Sequence, residues 1–243
     1  ELNSKNIPYL ENKLSHYAKT NDLDIEELKT TVEKNRSTIF NKRKDRIHPL
    51  KDDKILTDWN GLMIAALANG SKTLNKDIYM VAAKRAADFI LLKLRDNKGR
   101  LLKRYRNGLS GLQPHIDDYA FLIWGLLEIY ESNFDISYLK SALDLSDILV
   151  SDFLDKEAGG FYIGPENGEQ LIIRAKDSYD GAIPSGNAVA AMNFIKLSKF
   201  TGNKKWEEIA ENIFLAFSDG INQIPSAHSF MLSSFMFNTI NPK

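Results

Sequence analysis

Phe121-Leu122-Ile123-Trp124-Gly125-Leu126-Leu127 is the stretch on which the fold turns. At 3.6 residues per turn these seven residues leave no polar face. A helix that is apolar on every side is buried on every side. Leu62-Met63-Ile64-Ala65-Ala66-Leu67-Ala68 has the same character. Each stretch is followed by an amphipathic one. Lys84, Arg85 and Asp88 after the first, and Lys140, Asp144 and Asp147 after the second, are placed to meet water. Each unit therefore supplies one buried helix and one outer helix.

The pattern repeats. Gly61–Leu94, Ala120–Phe153 and Gly186–Phe217 each read as two helices joined by a short loop. In every second helix an aromatic precedes an alanine by four residues: Tyr79 and Ala83, Tyr138 and Ala142, Trp206 and Ala210. Spacing i,i+4 puts both on one face, and the small residue lets a neighbouring helix come close. Stacked hairpins of this kind build a solenoid or a closed α/α toroid. Ser226–Asn238 reads as the first helix of a further unit. Two linking segments, Asp96–Gln113 and Asp155–Lys176, carry Asn107-Gly108 and Asn167-Gly168 among β-prone residues, which predicts a short β-hairpin in each at one rim. Upstream, residues 8–19 and 24–44 read as two more helices, the second ending in the basic run Lys42, Arg43, Lys44 and Arg46. Such a run suits a helix C-terminus.

Composition narrows the function. Lys and Arg number 32, Asp and Glu number 32, so the chain lacks the basic excess of a nucleic-acid or anionic-membrane binder. With no cysteine there is no disulfide, zinc thiolate or thiol nucleophile. No apolar run approaches the roughly 18 residues of a membrane span. The chain opens on Glu1 without a signal-like segment, and reads as a cytoplasmic piece of something longer. No linker divides it, so the reading is one domain over residues 1–243, holding roughly four hairpins.

Asp52-Asp53-Lys54-Ile55-Leu56-Thr57-Asp58-Trp59-Asn60-Gly61-Leu62-Met63-Ile64-Ala65-Ala66 closely resembles a signature of the YyaL-like family, the spermatogenesis-associated, thioredoxin-fused proteins. Three further blocks match in order: Asp118–Ile123 with Gly125–Glu128, then Gly159-Gly160-Phe161, then Asp180-Gly181-Ala182 with Pro184-Ser185-Gly186-Asn187. The resemblance implies a six-hairpin α/α toroid, similar to N-acylglucosamine 2-epimerases and six-hairpin glycosidases. It also implies an N-terminal thioredoxin-like domain, and neither that domain nor its cysteines are in these residues. The expected fold class is all-α: an incomplete (α/α)6 toroid with short β-hairpins at one rim. An incomplete ring exposes apolar helix faces, which invite self-association.

If the buried helices run parallel, the segments before them gather at one mouth. Those segments are Thr57-Asp58-Trp59-Asn60, Asp117-Asp118-Tyr119 and Ser185-Gly186-Asn187, with Asp180 close before the last. Carboxylates, amides and aromatics converging on a concave site suit a small carbohydrate. Thr57, Asp117 and Ser185 are also ordinary helix-cap residues, and Asp58 and Asp118 suit a positive helix end. Paired carboxylates are the catalytic pattern on offer, as in glycoside hydrolysis. The candidates are Asp53, Asp118 and Asp180, with Trp59, Asn60, Tyr119, Arg174, Ser185 and Asn187 positioning the ligand. Asp117 carries little weight beside Asp118, because neighbours on a helix point about 100° apart. Arg104, Arg106 and Arg174 would hold a substrate carboxylate or phosphate if they face inward. His16, His48, His115 and His228 are scattered, and only His115 lies near the expected mouth. No metal-ligand spacing or phosphate loop is present, so no metal or cofactor is expected. The reading is a sugar-active or sugar-binding domain; the alternative is a non-catalytic module that holds a partner or client.

Overall fold

A computed structural model describes residues 9–169 and 172–240. The chain divides into two compact units, Glu1–Asp52 and Asp53–Lys243, where the sequence reading took one domain. The first holds α1 (Leu14–Thr20) and α2 (Ile25–Lys44). Asp24 starts α2 by accepting hydrogen bonds from the backbone N–H of Glu26 and Glu27, and Lys42, Arg43 and Lys44 occupy its last turn. No residue of α2 is buried.

The second unit contains the hairpins. A short strand, β1 (Ile55–Leu56), leads into α3 (Thr57–Leu74) and α4 (Asp77–Lys93). Strands β2 (Arg104–Arg106) and β3 (Leu109–Gly111) precede α5 (Ile116–Asn133) and α6 (Ile136–Phe153). Then come α7 (Gly186–Thr201), α8 (Lys204–Ala216), the short α9 (Ser218–Gln223), a 3-10 turn at Pro225–His228, and α10 (Ser229–Thr239). Helices α3, α5, α7 and α10 pack side by side in that order, while α4, α6 and α8 each lie against their own partner. Three complete hairpins are present among the described residues of this unit, followed by the short α9 and by α10.

The three hairpin turns share a device. Each inner helix ends in a residue with left-handed backbone: Asn75, Phe134 and Gly202, at φ of 51°, 57° and 68°. The next residue begins the outer helix, and two of these cap it. Asp135 accepts from the Ser137 N–H and Asn203 from the Lys205 N–H. Reversing the chain within so few residues sets each helix pair antiparallel. The alanines of the repeat, Ala83, Ala142 and Ala210, are fully buried. Tyr138 and Trp206 are buried beside two of them, and Trp206 stacks on Phe194 of α7 with ring centroids 5.4 Å apart.

The closest approach lies between inner helices. A Cβ placed on Gly61 of α3 would stand 2.5 Å from the Phe121 carbonyl carbon of α5. Only glycine admits that crossing. Helices α5 and α7 are buried over most of their length. Helix α3 departs from the all-round burial expected of it: Met63 is 56% exposed. It has an inner neighbour on one side, α5, whereas α5 is flanked by α3 and α7.

The Asn107-Gly108 turn forms as expected, both residues taking positive φ (51° and 81°). That geometry matches the twist of paired strands. Tyr105 pairs with Ser110 across the hairpin, and β1 adds a third antiparallel strand through Ile55 and Tyr105. The second expected hairpin is absent among the described residues of 155–176. There Leu154 makes an isolated bridge to Phe161, and the Asn167-Gly168 turn closes on Pro165 instead of pairing strands. The β-propensity was overridden by the helices: Asn187 of α7 takes both backbone groups of Phe161 with its side chain. Among the described residues, no helix is long and apolar enough to cross a membrane.

Candidate functional site

The N-termini of the inner helices meet at one mouth, as parallel packing requires. The α3–α5 junction is closed by side chains. Asp118, fully buried in the first turn of α5, accepts from the Asp58 N–H (3.1 Å) through Oδ1 and from the His115 N–H (2.7 Å) through Oδ2. Lys103 stands over this pair, its Nζ 3.2 Å from Asp58 Oδ2 and 3.3 Å from Asp118 Oδ2. Thr57 anchors the start of α3 by donating to the Leu102 carbonyl (2.6 Å).

Burial pushes the Asp118 carboxyl up to about 6, against the pull of Lys103 and the His115 N–H. Burial also works against the Lys103 charge, but Asp118 and Asp58 outweigh it and hold its pKa above the ordinary lysine value. His115 is pulled below the usual histidine range by partial burial and by Lys103.

The α5–α7 junction is open. Asp117 points away from Asp118, and its Oδ1 occupies the space that a Cβ on Gly186 would need. It lines a pocket of about 150 Å³ with Ile163, Asp177, Tyr179 and Ser185. Burial pushes Asp117 up to about 6, helped by the charges of Asp58 and Asp177 and opposed by Lys103 and the Gly186 N–H. A carboxyl partly desolvated beside two others is the usual preparation of an acid–base group.

Of the three carboxylates expected to carry chemistry, only Asp118 lies in this cluster, and its oxygens are occupied. Asp53 is half exposed and pairs with Arg106 of β2 at 2.6 Å. Asp180 is a bracket: Oδ1 accepts from the Ser185 N–H (2.8 Å), and Oδ2 accepts from the Phe230 and Met231 N–H groups at the start of α10 (2.8 and 3.0 Å). The structure thus places the three expected carboxylates at separate points, two of them on backbone N–H groups at helix starts, where such groups need acceptors.

The expected binding residues divide in the same way. Tyr119 is fully buried, its hydroxyl accepting from the Leu101 N–H (3.0 Å) and its ring packed edge-on to Phe153. Asn187 is fully buried as well, holding Phe161 and the Asp177 carbonyl (2.8 Å). Asn60 donates to the Leu56 carbonyl (2.7 Å), and Ser185 caps α7. Trp59 is 65% exposed at the start of α3 and remains open to a ligand. Arg174 stacks on Tyr162, 3.8 Å from the ring centroid, and donates to the Gly164 carbonyl (3.3 Å), in the wall of a separate recess of about 440 Å³.

Lys103, Asp58 and Asp177 were missed as site residues, and Asp117 was set aside. Lys103 reaches the mouth only because β1 pairs with β2 above α3, a long-range contact without a local signal. The same 100° between helix neighbours that weakened Asp117 as a partner of Asp118 is what turns it toward α7. Among the described residues, no group of three or more His, Cys, Asp or Glu is placed to hold a metal ion.

Comparison with known proteins agrees with this architecture. No family model matches the chain. The chain is 33% identical over 237 residues to spermatogenesis-associated protein 20 of Homo sapiens, covering 93% of this chain and 30% of that protein. The Mus musculus protein of the same name is 32% identical with the same coverage. The chain thus spans less than a third of the length of these relatives. Among solved structures, it superposes on a GH76 alpha-mannanase of Bacteroides thetaiotaomicron with a TM-score of 0.61 at 18% identity, covering 77% of this chain and 54% of that one. It superposes on the cellobiose 2-epimerase of Spirochaeta thermophila with a TM-score of 0.63 at 14% identity, covering 78% and 56%. These likenesses establish an α/α toroid fold. Over 93% of its length the chain is homologous to spermatogenesis-associated protein 20, a YyaL-like protein, and its own fold is that of the α/α toroids.

Proposed function

We propose that the mouth is a sugar-active site in which Asp117 is the acid–base carboxyl. The observation that carries the reading is the environment of Asp117: a carboxyl lining an open pocket, pushed up to about 6 by burial and by Asp58 and Asp177. Proton transfer is most efficient from a group whose pKa lies near the working pH. Asp58, held by Lys103, and Asp177 supply charge around it, while Tyr179 offers a ring face at the pocket's edge and Trp59 an exposed one at the start of α3. The reaction class is glycoside hydrolysis or proton-transfer isomerisation, and solved toroids of this fold include a mannanase and an epimerase. Asp118 and Lys103 act as the strut that positions the helix start.

A thermal-shift screen against monosaccharides, disaccharides and sugar acids tests the reading. A ligand at about 100 times its dissociation constant adds about 2.7 kcal/mol to stability. The expected result is a shift with neutral sugars that Asp117→Asn weakens and Asp53→Asn leaves alone. Equal shifts in both variants would remove Asp117 from the site. A second reading, a module that holds a protein client for a thioredoxin-like domain, is favoured by the exposed Phe235, Met236, Phe237 and Ile240 of the α10 region. It predicts no shift with any sugar.

A further inference from the structure

Resting on the sugar reading, one discrepancy of size leads further. Small-molecule sites enclose roughly 300 to 1,000 Å³. The pocket at Asp117, at about 150 Å³, admits only the end of a ligand. A second cavity of about 620 Å³ is lined by the same two residues, Asp177 and Tyr179. Segment 177–179 thus borders both cavities. Tyr179 crowns it, 63% exposed, with its backbone N–H tied to Asp177 Oδ1 (2.9 Å). An aromatic ring fixed at such a junction offers its face to a sugar ring crossing it.

The larger cavity contains a held imidazole. His228 is 8% exposed, at the start of α10, and its Nδ1 lies 2.7 Å from the Ser178 carbonyl oxygen. A carbonyl only accepts, so Nδ1 carries a proton toward it, and Nε2 is the ring's remaining hydrogen-bonding nitrogen. That nitrogen faces Gly220 of α9, where a Cβ would lie 3.4 Å from it. Both residues line the cavity, and the missing side chain at Gly220 leaves the space before Nε2 open. Lys176, which also lines it, is bound to Asp155 (2.8 Å) and the Gly159 carbonyl (2.9 Å), so it is not available to an anionic sugar.

We propose that the two compartments are consecutive subsites of one groove, joined over Tyr179, and that the ligand is a neutral disaccharide or longer chain. One ring end reaches Asp117, and the next ring lies on Tyr179 with a hydroxyl hydrogen-bonded to His228 Nε2.

Calorimetric titration of the 243-residue chain with glucose, mannose, maltose and cellobiose decides the matter, with imidazole nitrogen NMR of His228 alongside. A disaccharide is expected to bind at least about tenfold more tightly than its monosaccharide, a factor of ten being about 1.4 kcal/mol. Its addition shifts the His228 Nε2 resonance, and the monosaccharide does not. Gly220→Leu abolishes the disaccharide gain and spares the monosaccharide affinity, and Tyr179→Ala abolishes the disaccharide gain. Tyr179→Ala alters an exposed side chain, so it remains informative if Gly220→Leu fails to fold. Equal affinity for both sizes, or a gain that survives Tyr179→Ala, overturns the two-subsite groove. If monosaccharide binding then still depends on Asp117, the sugar reading stands without it. Absence of binding by all four sugars overturns both.

Discussion

The two junctions of α5 use the same materials to opposite ends. Toward α3, Asp118 is sealed: both oxygens are engaged, Lys103 neutralises it, and Gly61 lets the backbones touch. Toward α7, Asp117 borders an open pocket, with Gly186 leaving it room. Consecutive aspartates thus become a strut and the wall of a pocket. Burial raises both carboxyls to about 6, so residue type and pKa do not separate them. What separates them is the surroundings: Asp118 takes two backbone N–H groups and the Lys103 ammonium and is fully buried, while Asp117 takes the Gly186 N–H and borders a pocket.

The contrast can be broken first at its tightest point. Gly61→Ala drives a methyl group into the α5 backbone, which cannot swing aside as a side chain could. Overpacking of this kind costs about 3 kcal/mol or more. Urea denaturation should show it, and a loss under about 1 kcal/mol would mean the helices separate easily.

Asp118→Asn tests the sealed side. It keeps the shape but leaves the half-buried Lys103 with Asp58 as its carboxylate partner and puts an amide where two N–H groups donate. A loss of about 2 kcal/mol is expected, the scale of leaving buried polar groups unsatisfied.

Asp117→Asn should act with the opposite sign. Because the folded pKa of about 6 lies above the unfolded value, Asp117 favours folding when protonated, below about pH 4. That contribution is lost as pH rises from about 4 through 6. The amide cannot ionise, so at pH 7 the variant should be more stable by about 1 kcal/mol, after allowance for partial exposure. Thermal melts from pH 4 to 7 should show the two proteins diverging as pH rises; parallel curves would place Asp117 in water.

Arg174→Ala gives the smallest effect. Its stack on Tyr162 is exposed, and such a pair contributes about 0.5 kcal/mol. A larger loss in chemical denaturation would show that the loop around Gly164 depends on it.

The helical repeat was legible because it is a local property. Apolar residues on every face announce α5, and the Tyr138–Ala142 and Trp206–Ala210 spacings announce the outer helices. Asn107-Gly108 announces its turn, since positive φ at both positions is a demand on residue type. The same signal at Asn167-Gly168 gave no hairpin among the described residues, where Asn187, distant in sequence, holds the Phe161 backbone. The mouth was legible as a place, through the parallel inner helices, but not as a set of roles. Asp53, Asp118 and Asp180 have the composition of catalytic acids, and each is spent on a cation or on backbone N–H groups. Tyr119 resembles a ligand platform and lies within the core.

What the sequence by itself determined is therefore the periodicity: which segments are helical, which helices are inside, and that their N-termini share one end. These follow from nearest-neighbour geometry and side-chain hydrophobicity. The tertiary structure alone decided what each carboxyl meets. Lys103 comes to Asp118 through strand pairing, Gly186 comes to Asp117 through helix packing, and Asp180 is consumed by α10. Whether a carboxylate is a strut or the wall of a pocket depends on which N–H groups and cations reach its oxygens, and those partners arrive from elsewhere in the chain.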